Sequence, residues 1–196
     1  AIREAGYGGK IMLGLDCASS EFYSGGKYKI GAKTFSAGEL VDFYSSLASK
    51  FKIISIEDGM SEDDWEGWGE LNRKLGKKIQ LVGDDLLVTN TERMEIAAQK
   101  MACNALLLKV NQIGTITESI AAAKLAAANK WNVIVSHRSG ESEDAFIADL
   151  VVGIGAGQSK FGAPARSERA AKYNRLLRIE ELLSENGKAK LAKPSG

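Results

Sequence analysis

The chain has 196 residues, of which 44% are hydrophobic and 26% charged, with a formal net charge of +1 at pH 7. This composition is typical of a folded domain with a full hydrophobic core, and it disfavours binding to nucleic acid or membranes through charge alone. With two cysteines, no bilayer-length apolar run and no recognisable signal peptide, we expect a cytoplasmic protein without a disulfide framework.

Short apolar runs recur along the chain, and each is followed by a polar residue and then by helix-like sequence. Runs that are apolar along their whole length are typical of strands that are buried on both faces of a parallel sheet. The predicted strands are Ile11–Leu15, Ile53–Ile56, Ile79–Gly83, Ala105–Leu108, Asn132–Ser136 and Leu150–Ile154.

The segments between these runs predict the helices that connect parallel strands. Glu39–Lys50 has an apolar stripe at helical spacing, and Ser61 with the acids that follow it predicts the N-cap of the next helix. The glycine-rich segment 24–31 lacks both phosphate-loop patterns and indicates a hairpin or surface excursion. Further helices are predicted from Thr91 and over Thr115–Asn129, Glu141–Asp149 and Ser167–Leu183.

Six βα units at a repeat of roughly 25 to 40 residues predict an α/β fold. A closed (β/α)8 barrel needs typically about 250 residues, so we expect this chain to be the carboxyl-terminal part of a longer barrel. Polar residues at the carboxyl ends of parallel strands face one end of the sheet. The residues predicted to meet there in one active site are Asp16, Glu57, Asp84, Lys109, His137 and Lys160.

Three of these strand-end residues are acids. Asp16, Glu57 and Asp84 offer hard oxygen ligands from three consecutive strands, a set suited to Mg²⁺. Any one of them alone would more simply cap a helix or pair with a lysine, but three in consecutive units favour a metal site. Asp58 and Asp85 are expected to support the site instead, because adjacent strand residues point to opposite sides.

Two lysines follow the later strands. Lys109 comes after a purely apolar strand, where a low dielectric would favour the neutral amine that can remove a proton. A salt bridge to the carboxylates would instead keep Lys109 charged, and the sequence leaves both alternatives open. Lys160 is either a second cation for an anionic substrate or a solvated loop residue.

His137 is the only histidine of the chain and lies in Ser136-His-Arg-Ser-Gly-Glu141. A single histidine excludes a histidine-rich metal site and is more often structural, or a hydrogen-bond donor, than a ligand. The guanidinium of Arg138 matches phosphate oxygens in a bidentate manner, and Ser139 adds a hydroxyl donor. This segment therefore has the character of an anion-holding loop.

Six longer stretches of the chain are distinctive: Leu15–Tyr23, Ser55–Gly59, Val82–Leu86, Leu108–Thr115, Val135–Glu141 and Gly162–Arg169. Together they resemble the enolases, the phosphopyruvate hydratases. They fall in the order found in that family and run nearly from end to end of the chain. Glu57-Asp-Gly59 has a glycine where many eukaryotic members have proline, a pattern closer to bacterial and archaeal enolases.

The resemblance implies a TIM-like (β/α)8 enolase barrel, of which residues 1–196 form the carboxyl-terminal part, with the amino-terminal domain and first barrel strands absent. It implies a lyase of glycolysis that uses Mg²⁺ to dehydrate 2-phosphoglycerate reversibly to phosphoenolpyruvate. The matching positions are the Mg²⁺ ligands Asp16, Glu57 and Asp84, the general base Lys109, and the substrate-binding His137, Arg138, Ser139 and Lys160.

The resemblance also implies a homo-oligomer when complete, and neither a nucleic-acid partner nor a membrane span. The family's general-acid glutamate belongs to the part that is absent here, so we expect the chain alone to be inactive. Ser159-Lys-Phe161 departs from the family, which usually has isoleucine before this lysine and threonine after it. The alternatives are a non-catalytic scaffold or surface-binding module with the same fold, since some enolases reach the cell surface, and another lyase or racemase of the superfamily.

Overall fold

The computed structural model describes residues 1–185, 187 and 189–192. A short 3-10 helix covers Ser19–Phe22, between the first two strands. The strands are β1 (Leu13–Asp16), β2 (Tyr23–Ser24), β3 (Lys27–Ile30), β4 (Lys33–Phe35), β5 (Ile53–Glu57), β6 (Gln80–Gly83), β7 (Ala105–Leu108), β8 (Asn132–Ser136) and β9 (Gly157–Lys160). The helices are α1 (Ala37–Lys50), α2 (Trp65–Leu75), α3 (Thr91–Gln99), α4 (Val110–Ile113), α5 (Ile116–Ala128), α6 (Phe146–Gly153) and α7 (Ser167–Glu185).

Six strands form one sheet in the order β1-β5-β6-β7-β8-β9. The pairings of β1 with β5, of β5 with β6 and of β8 with β9 are parallel. The predicted α/β fold with about six βα units is thereby confirmed. Strands β2, β3 and β4 form a separate antiparallel sheet, which confirms the hairpin predicted after Asp16.

The sixth predicted strand is wrong in position. The apolar run 150–154 lies in α6 and at its C-cap, and the strand follows at Gly157–Lys160. The helix predicted over 141–149 correspondingly begins only at Phe146. A short apolar run cannot be assigned to a strand or to a buried helix by periodicity alone, which is the reason for this shift.

The chain divides into two compact units. The first contains residues 1–87 and 95–105, and the second contains residues 88–94 and the described residues after 105. Leu40, Ile56 and Trp68 are completely buried in the core of the first unit, and Leu108 and Val135 are completely buried in that of the second. None of the helices in the described part of the chain is long and apolar enough to span a membrane.

A buried hydroxyl ties the antiparallel sheet of the first unit to the start of α2. Tyr28 of β3 donates from its hydroxyl to Asp64 Oδ2 at 2.6 Å and accepts from the backbone N–H of Ser61 at 3.0 Å. Asp64 is the N-cap of α2 and accepts from the N–H of Gly67 at 2.9 Å. The predicted N-cap Ser61 is therefore wrong, because its backbone is bound by Tyr28 one turn before the helix begins.

Replacement of Tyr28 by phenylalanine removes both bonds and leaves the Ser61 N–H buried without an acceptor. We expect Tyr28→Phe to lower the free energy of unfolding by roughly 1 to 3 kcal/mol, as measured by urea denaturation. Tyr23→Phe is the matched control, because the Tyr23 ring packs 4.6 Å from that of Tyr28 but its hydroxyl does not make this bridge. Equal effects of the two changes would contradict the assignment.

Candidate functional site

Asp16 and Glu57 lie side by side at the ends of β1 and β5. The two residues are register partners in this parallel pair, and the backbone N–H of Cys17 donates to the carbonyl oxygen of Glu57 at 2.9 Å. Register partners on neighbouring strands direct their side chains to the same face of a sheet. Glu57 is only 6% exposed, whereas Asp16 is exposed at the edge strand.

Asp84 directly follows β6, the next strand of the first unit, and its Oδ1 atom is enclosed by protein. Asp58, one residue beyond Glu57, fixes the backbone at this position. Its Oδ1 accepts from the N–H of Asp84 at 3.0 Å, and its Oδ2 accepts from the N–H of Asp85 at 2.8 Å. These bonds anchor the backbone of Asp84 and Asp85 to the side chain of Asp58.

Among the residues that the structure describes, one group of three acids is close enough to bind a single cation. Carboxylate oxygens of Asp58, Asp84 and Asp85 all lie within 4.8 Å of one another. Asp16 and Glu57 are not members of this group, so Asp84 alone belongs both to it and to the predicted ligand set. All the donors are hard carboxylate oxygens, which suit Mg²⁺ better than a softer metal.

The surroundings of Asp58 raise the pKa of its carboxyl. Burial raises the pKa of the Asp58 carboxyl to about 7, and the nearby carboxylates of Asp84 and Asp85 act in the same direction. The hydrogen bonds that Asp58 accepts from the backbone N–H groups of Asp84 and Asp85 oppose this rise. A cation among these acids would relieve their mutual repulsion.

In the second unit, Lys109 follows β7 and is the N-cap residue of the short helix α4. Its backbone N–H donates to the hydroxyl of Thr89 at 3.0 Å, and that hydroxyl lies 3.3 Å from the carbonyl oxygen of Leu107. Thr89 is completely buried and has a left-handed backbone with φ of 56°. Sequence reasoning missed Thr89, since nothing in its local pattern indicates a bond to the next strand.

His137 and Lys160 lie at the ends of the neighbouring strands β8 and β9. Ser136 and Lys160 are register partners, and the backbone N–H of His137 donates to the carbonyl oxygen of Lys160 at 2.9 Å. Arg138 donates from its guanidinium to the side chain of Asn111 at 3.1 Å. The structure therefore brings three predicted substrate-binding residues, His137, Arg138 and Lys160, to one end of these strands, with exposed Ser139 directly after them.

The segment after β8 is closed by Glu141. Its carboxylate accepts from the backbone N–H of Arg138 and of Ser142, each at 3.0 Å. Lys172 of α7 is completely buried, lies 3.6 Å from the Glu141 carboxylate and donates to the carbonyl oxygen of Ser142. These interactions of Glu141 and Lys172 fix the backbone conformation of residues 138–142.

The sequence analysis did not predict two buried basic residues of α7. Arg169 is 8% exposed and Lys172 is completely buried, and both bind the segment after β8. The sequence signal that was available is their spacing, because residues three apart lie on the same face of a helix. Basic residues that are buried almost always bind a specific partner.

Phe161, the departure from the family pattern, belongs to the core of the second unit. Its side chain is 1% exposed and its ring meets that of Tyr173 edge-on, with centroids 6.2 Å apart. The benzyl group is therefore accommodated by aromatic packing against α7.

The imidazole of His137 has a pKa below its ordinary value. Partial burial is the main cause, the cationic Arg169 adds to it, and the Glu141 carboxylate partly opposes it. The unfolded chain therefore binds a proton at this residue more readily than the folded chain does. Stability from this group is lost as pH falls from about 6.5 through the folded pKa.

We expect the His137 resonances to titrate below about pH 6.5 in NMR spectra, and the single histidine makes the assignment unambiguous. The same chain in denaturing urea is the reference for the unfolded pKa. A folded pKa equal to or above that of the unfolded chain would contradict the described surroundings of the ring.

A comparison with protein families finds one family whose model covers nearly the whole chain. The model of the family described as Enolase, C-terminal TIM barrel domain, matches residues 1–193, which is nearly the whole chain. The chain belongs to the enolase family, within its C-terminal TIM barrel domain.

Proposed function

We propose that this chain is the catalytic barrel portion of an enolase, a carbon-oxygen lyase that reversibly dehydrates 2-phosphoglycerate to phosphoenolpyruvate in glycolysis. The observation that carries the proposal is the family match over residues 1–193, which includes every predicted site residue. In this proposal residues 1–196 are the carboxyl-terminal part of the barrel domain, which an amino-terminal domain and the first barrel strands complete. The glycine in Glu57-Asp-Gly59 supports a bacterial-type member.

The chemistry of the substrate explains the cations of the second unit. Removal of the C2 proton of 2-phosphoglycerate adds negative charge to a molecule that already carries a phosphate and a carboxylate. Groups that are fixed before the reaction stabilise such charge most effectively. We assign the phosphate and carboxylate to a set of four donors whose backbone is braced by neighbouring strands and by α7: His137, Arg138, Ser139 and Lys160.

Lys109 is the proposed general base. It takes the C2 proton onto its amine in the forward direction and returns it in the reverse direction. The bond from its backbone to Thr89 fixes the point from which its side chain starts. Departure of the C3 hydroxyl needs a proton from an acid, which the family resemblance places outside this chain, so turnover requires that missing part.

Asp16, Glu57 and Asp84 are the proposed Mg²⁺ ligands. The register of β1 with β5 supports the first two, and the closeness of Asp84 to Asp58 and Asp85 supports an oxygen-rich cation site at the end of β6. Bound Mg²⁺ would supply positive charge to the developing negative charge of the substrate. Asp58 holds the backbone of Asp84 in place for this purpose.

We also propose a cytoplasmic enzyme that works as a homo-oligomer when complete. Its glycolytic substrate supports the location, and so do the two cysteines, Cys17 and Cys103, which form no disulfide in the structure. The proposed small-molecule partners are 2-phosphoglycerate and phosphoenolpyruvate.

Loss of the proposed ligand Asp84 has a direct consequence for Mg²⁺. We expect Asp84→Ala to weaken Mg²⁺ binding by roughly tenfold or more in isothermal titration calorimetry. Glu95→Ala is the control, because Glu95 is an exposed carboxylate on α3. Unchanged Mg²⁺ affinity in Asp84→Ala would remove this residue from the ligand set.

Loss of the proposed base is tested by isotope exchange. The chain is combined with a polypeptide that carries the amino-terminal domain and first barrel strands, and exchange of the C2 proton of 2-phosphoglycerate is followed by NMR in D₂O. We expect Lys109→Ala to abolish this exchange, whereas Lys124→Ala, at an exposed lysine of α5, keeps it. Retained exchange in Lys109→Ala would assign the base elsewhere.

A further inference from the structure

One buried guanidinium holds three consecutive residues of the proposed substrate-binding segment. Arg169 lies in the first turn of α7 and is 8% exposed. Its Nη1 atom lies 2.5 Å from Nδ1 of His137 and donates to the carbonyl oxygen of Arg138 at 2.8 Å. Its Nη2 atom donates to the carbonyl oxygen of Ser139 at 3.0 Å.

The bond between Arg169 and His137 has only one possible direction. A guanidinium stays protonated in proteins and carries donors but no acceptor. Nδ1 of His137 must therefore be the acceptor, so it carries no hydrogen. A neutral imidazole with a bare Nδ1 has its hydrogen on Nε2.

Gly162 provides separate evidence that this pair is closely packed. Its φ is +81°, and a Cβ atom built on it would lie 3.0 Å from Cε1 of His137 and 3.2 Å from Cδ of Arg169. Only a residue without a side chain leaves room for the ring and the guanidinium at these positions. The ring is thereby confined between its hydrogen bond and the backbone after β9.

We propose that Arg169 is a positioning residue that holds His137 as the neutral Nε2–H tautomer and presents that N–H to an anionic oxygen of the substrate. The tautomer follows from the hydrogen bond itself, whereas the use of the N–H by substrate rests on the proposed function. A neutral donor complements the cations Arg138 and Lys160, which supply charge. The histidine orients the anion by a hydrogen bond.

The charged groups around the ring are consistent with this assignment. Arg169, Lys160 and Lys172 favour the neutral imidazole, and the Glu141 carboxylate opposes them. Glu141 is itself engaged by the backbone N–H groups of Arg138 and Ser142 and by Lys172. These groups partly neutralise the Glu141 carboxylate, which weakens its effect on the imidazole.

Lys172 supplies a matched control. It lies one turn after Arg169 on the same helix and is also buried, and it binds the same segment at Glu141 and Ser142. These contacts of Lys172 are to Glu141 and Ser142 and not to the imidazole of His137. A merely structural effect on the segment would appear in variants of both residues, whereas a change of tautomer would appear only in variants of Arg169.

The tautomer is read from the ¹⁵N chemical shifts of His137 in the histidine-labelled 196-residue chain above its pKa. We expect a single Nε2–H form in the unchanged chain, in Arg169→Lys and in Lys172→Met. We expect Arg169→Met to give a mixture of both tautomers and a higher His137 pKa. The substitution removes the guanidinium that donates to Nδ1, and it removes a positive charge next to the ring. A protonated Nδ1 in the unchanged chain, or a pure Nε2–H form in Arg169→Met, would overturn the tautomer assignment.

If Arg169→Met does not fold, Gly162→Ala is measured in its place. Its Cβ pushes against the ring, so we expect it to shift the His137 resonances and broaden the tautomer distribution, and unchanged spectra would contradict the packing. Gly140→Ala is its control, because a Cβ atom there would meet nothing within 4 Å. The tautomer of the unchanged chain decides the assignment even if every variant fails to fold.

The use of the N–H by substrate is tested in the chain combined with the amino-terminal polypeptide. We expect Arg169→Met to lower kcat/KM for 2-phosphoglycerate by roughly tenfold, with partial rescue in Arg169→Lys. An unchanged kcat/KM with a changed tautomer would overturn this second half of the proposal. Absence of turnover in the unchanged combined protein would instead count against the proposed function, and the NMR result would stand by itself.

Discussion

Parallel strand pairing in register is the constraint on which the placement of the proposed site residues depends. Because Asp16 pairs with Glu57 and Ser136 pairs with Lys160, the residues at the ends of neighbouring strands lie next to each other. A shift of one residue in either pairing would turn the side chains to the opposite face. The backbone hydrogen bonds between strands therefore determine which side chains are neighbours at the strand ends.

Buried polar side chains then fix the backbone just beyond the strands. Asp58 binds the N–H groups of Asp84 and Asp85, and Thr89 binds that of Lys109. Arg169 and Lys172 do the same for the segment after β8 by donating to its carbonyl oxygens. Such groups are costly to bury without partners, and these four hold the backbone at or next to residues that we propose to be functional. This arrangement fixes the backbone from which the proposed site residues extend, as a preorganised site requires.

Much of this arrangement could be predicted from sequence. Apolar runs followed by Asp16, Glu57, Asp84, Lys109 and His137 gave five strand ends, because a buried strand has a continuous apolar pattern and its polar successor stands out. The sixth strand was misplaced, since the apolar run 150–154 fits a buried helix equally well. The bracing residues Thr89, Arg169 and Lys172 were not predicted, because their partners are distant in sequence. The helical spacing of Arg169 and Lys172 was the only signal in their local sequence, and it does not name a partner.

Enolase activity is the central claim, and its most direct measurement is conversion of 2-phosphoglycerate in the presence of Mg²⁺, followed by the absorbance of phosphoenolpyruvate. The purified chain is assayed alone and after mixing with a polypeptide that carries the amino-terminal domain and first barrel strands of an enolase. The account predicts no turnover by the chain alone and turnover in the mixture. Turnover by the chain alone would contradict the need for an acid from outside it. Absence of turnover in a mixture whose polypeptides demonstrably associate would contradict the proposed enolase activity.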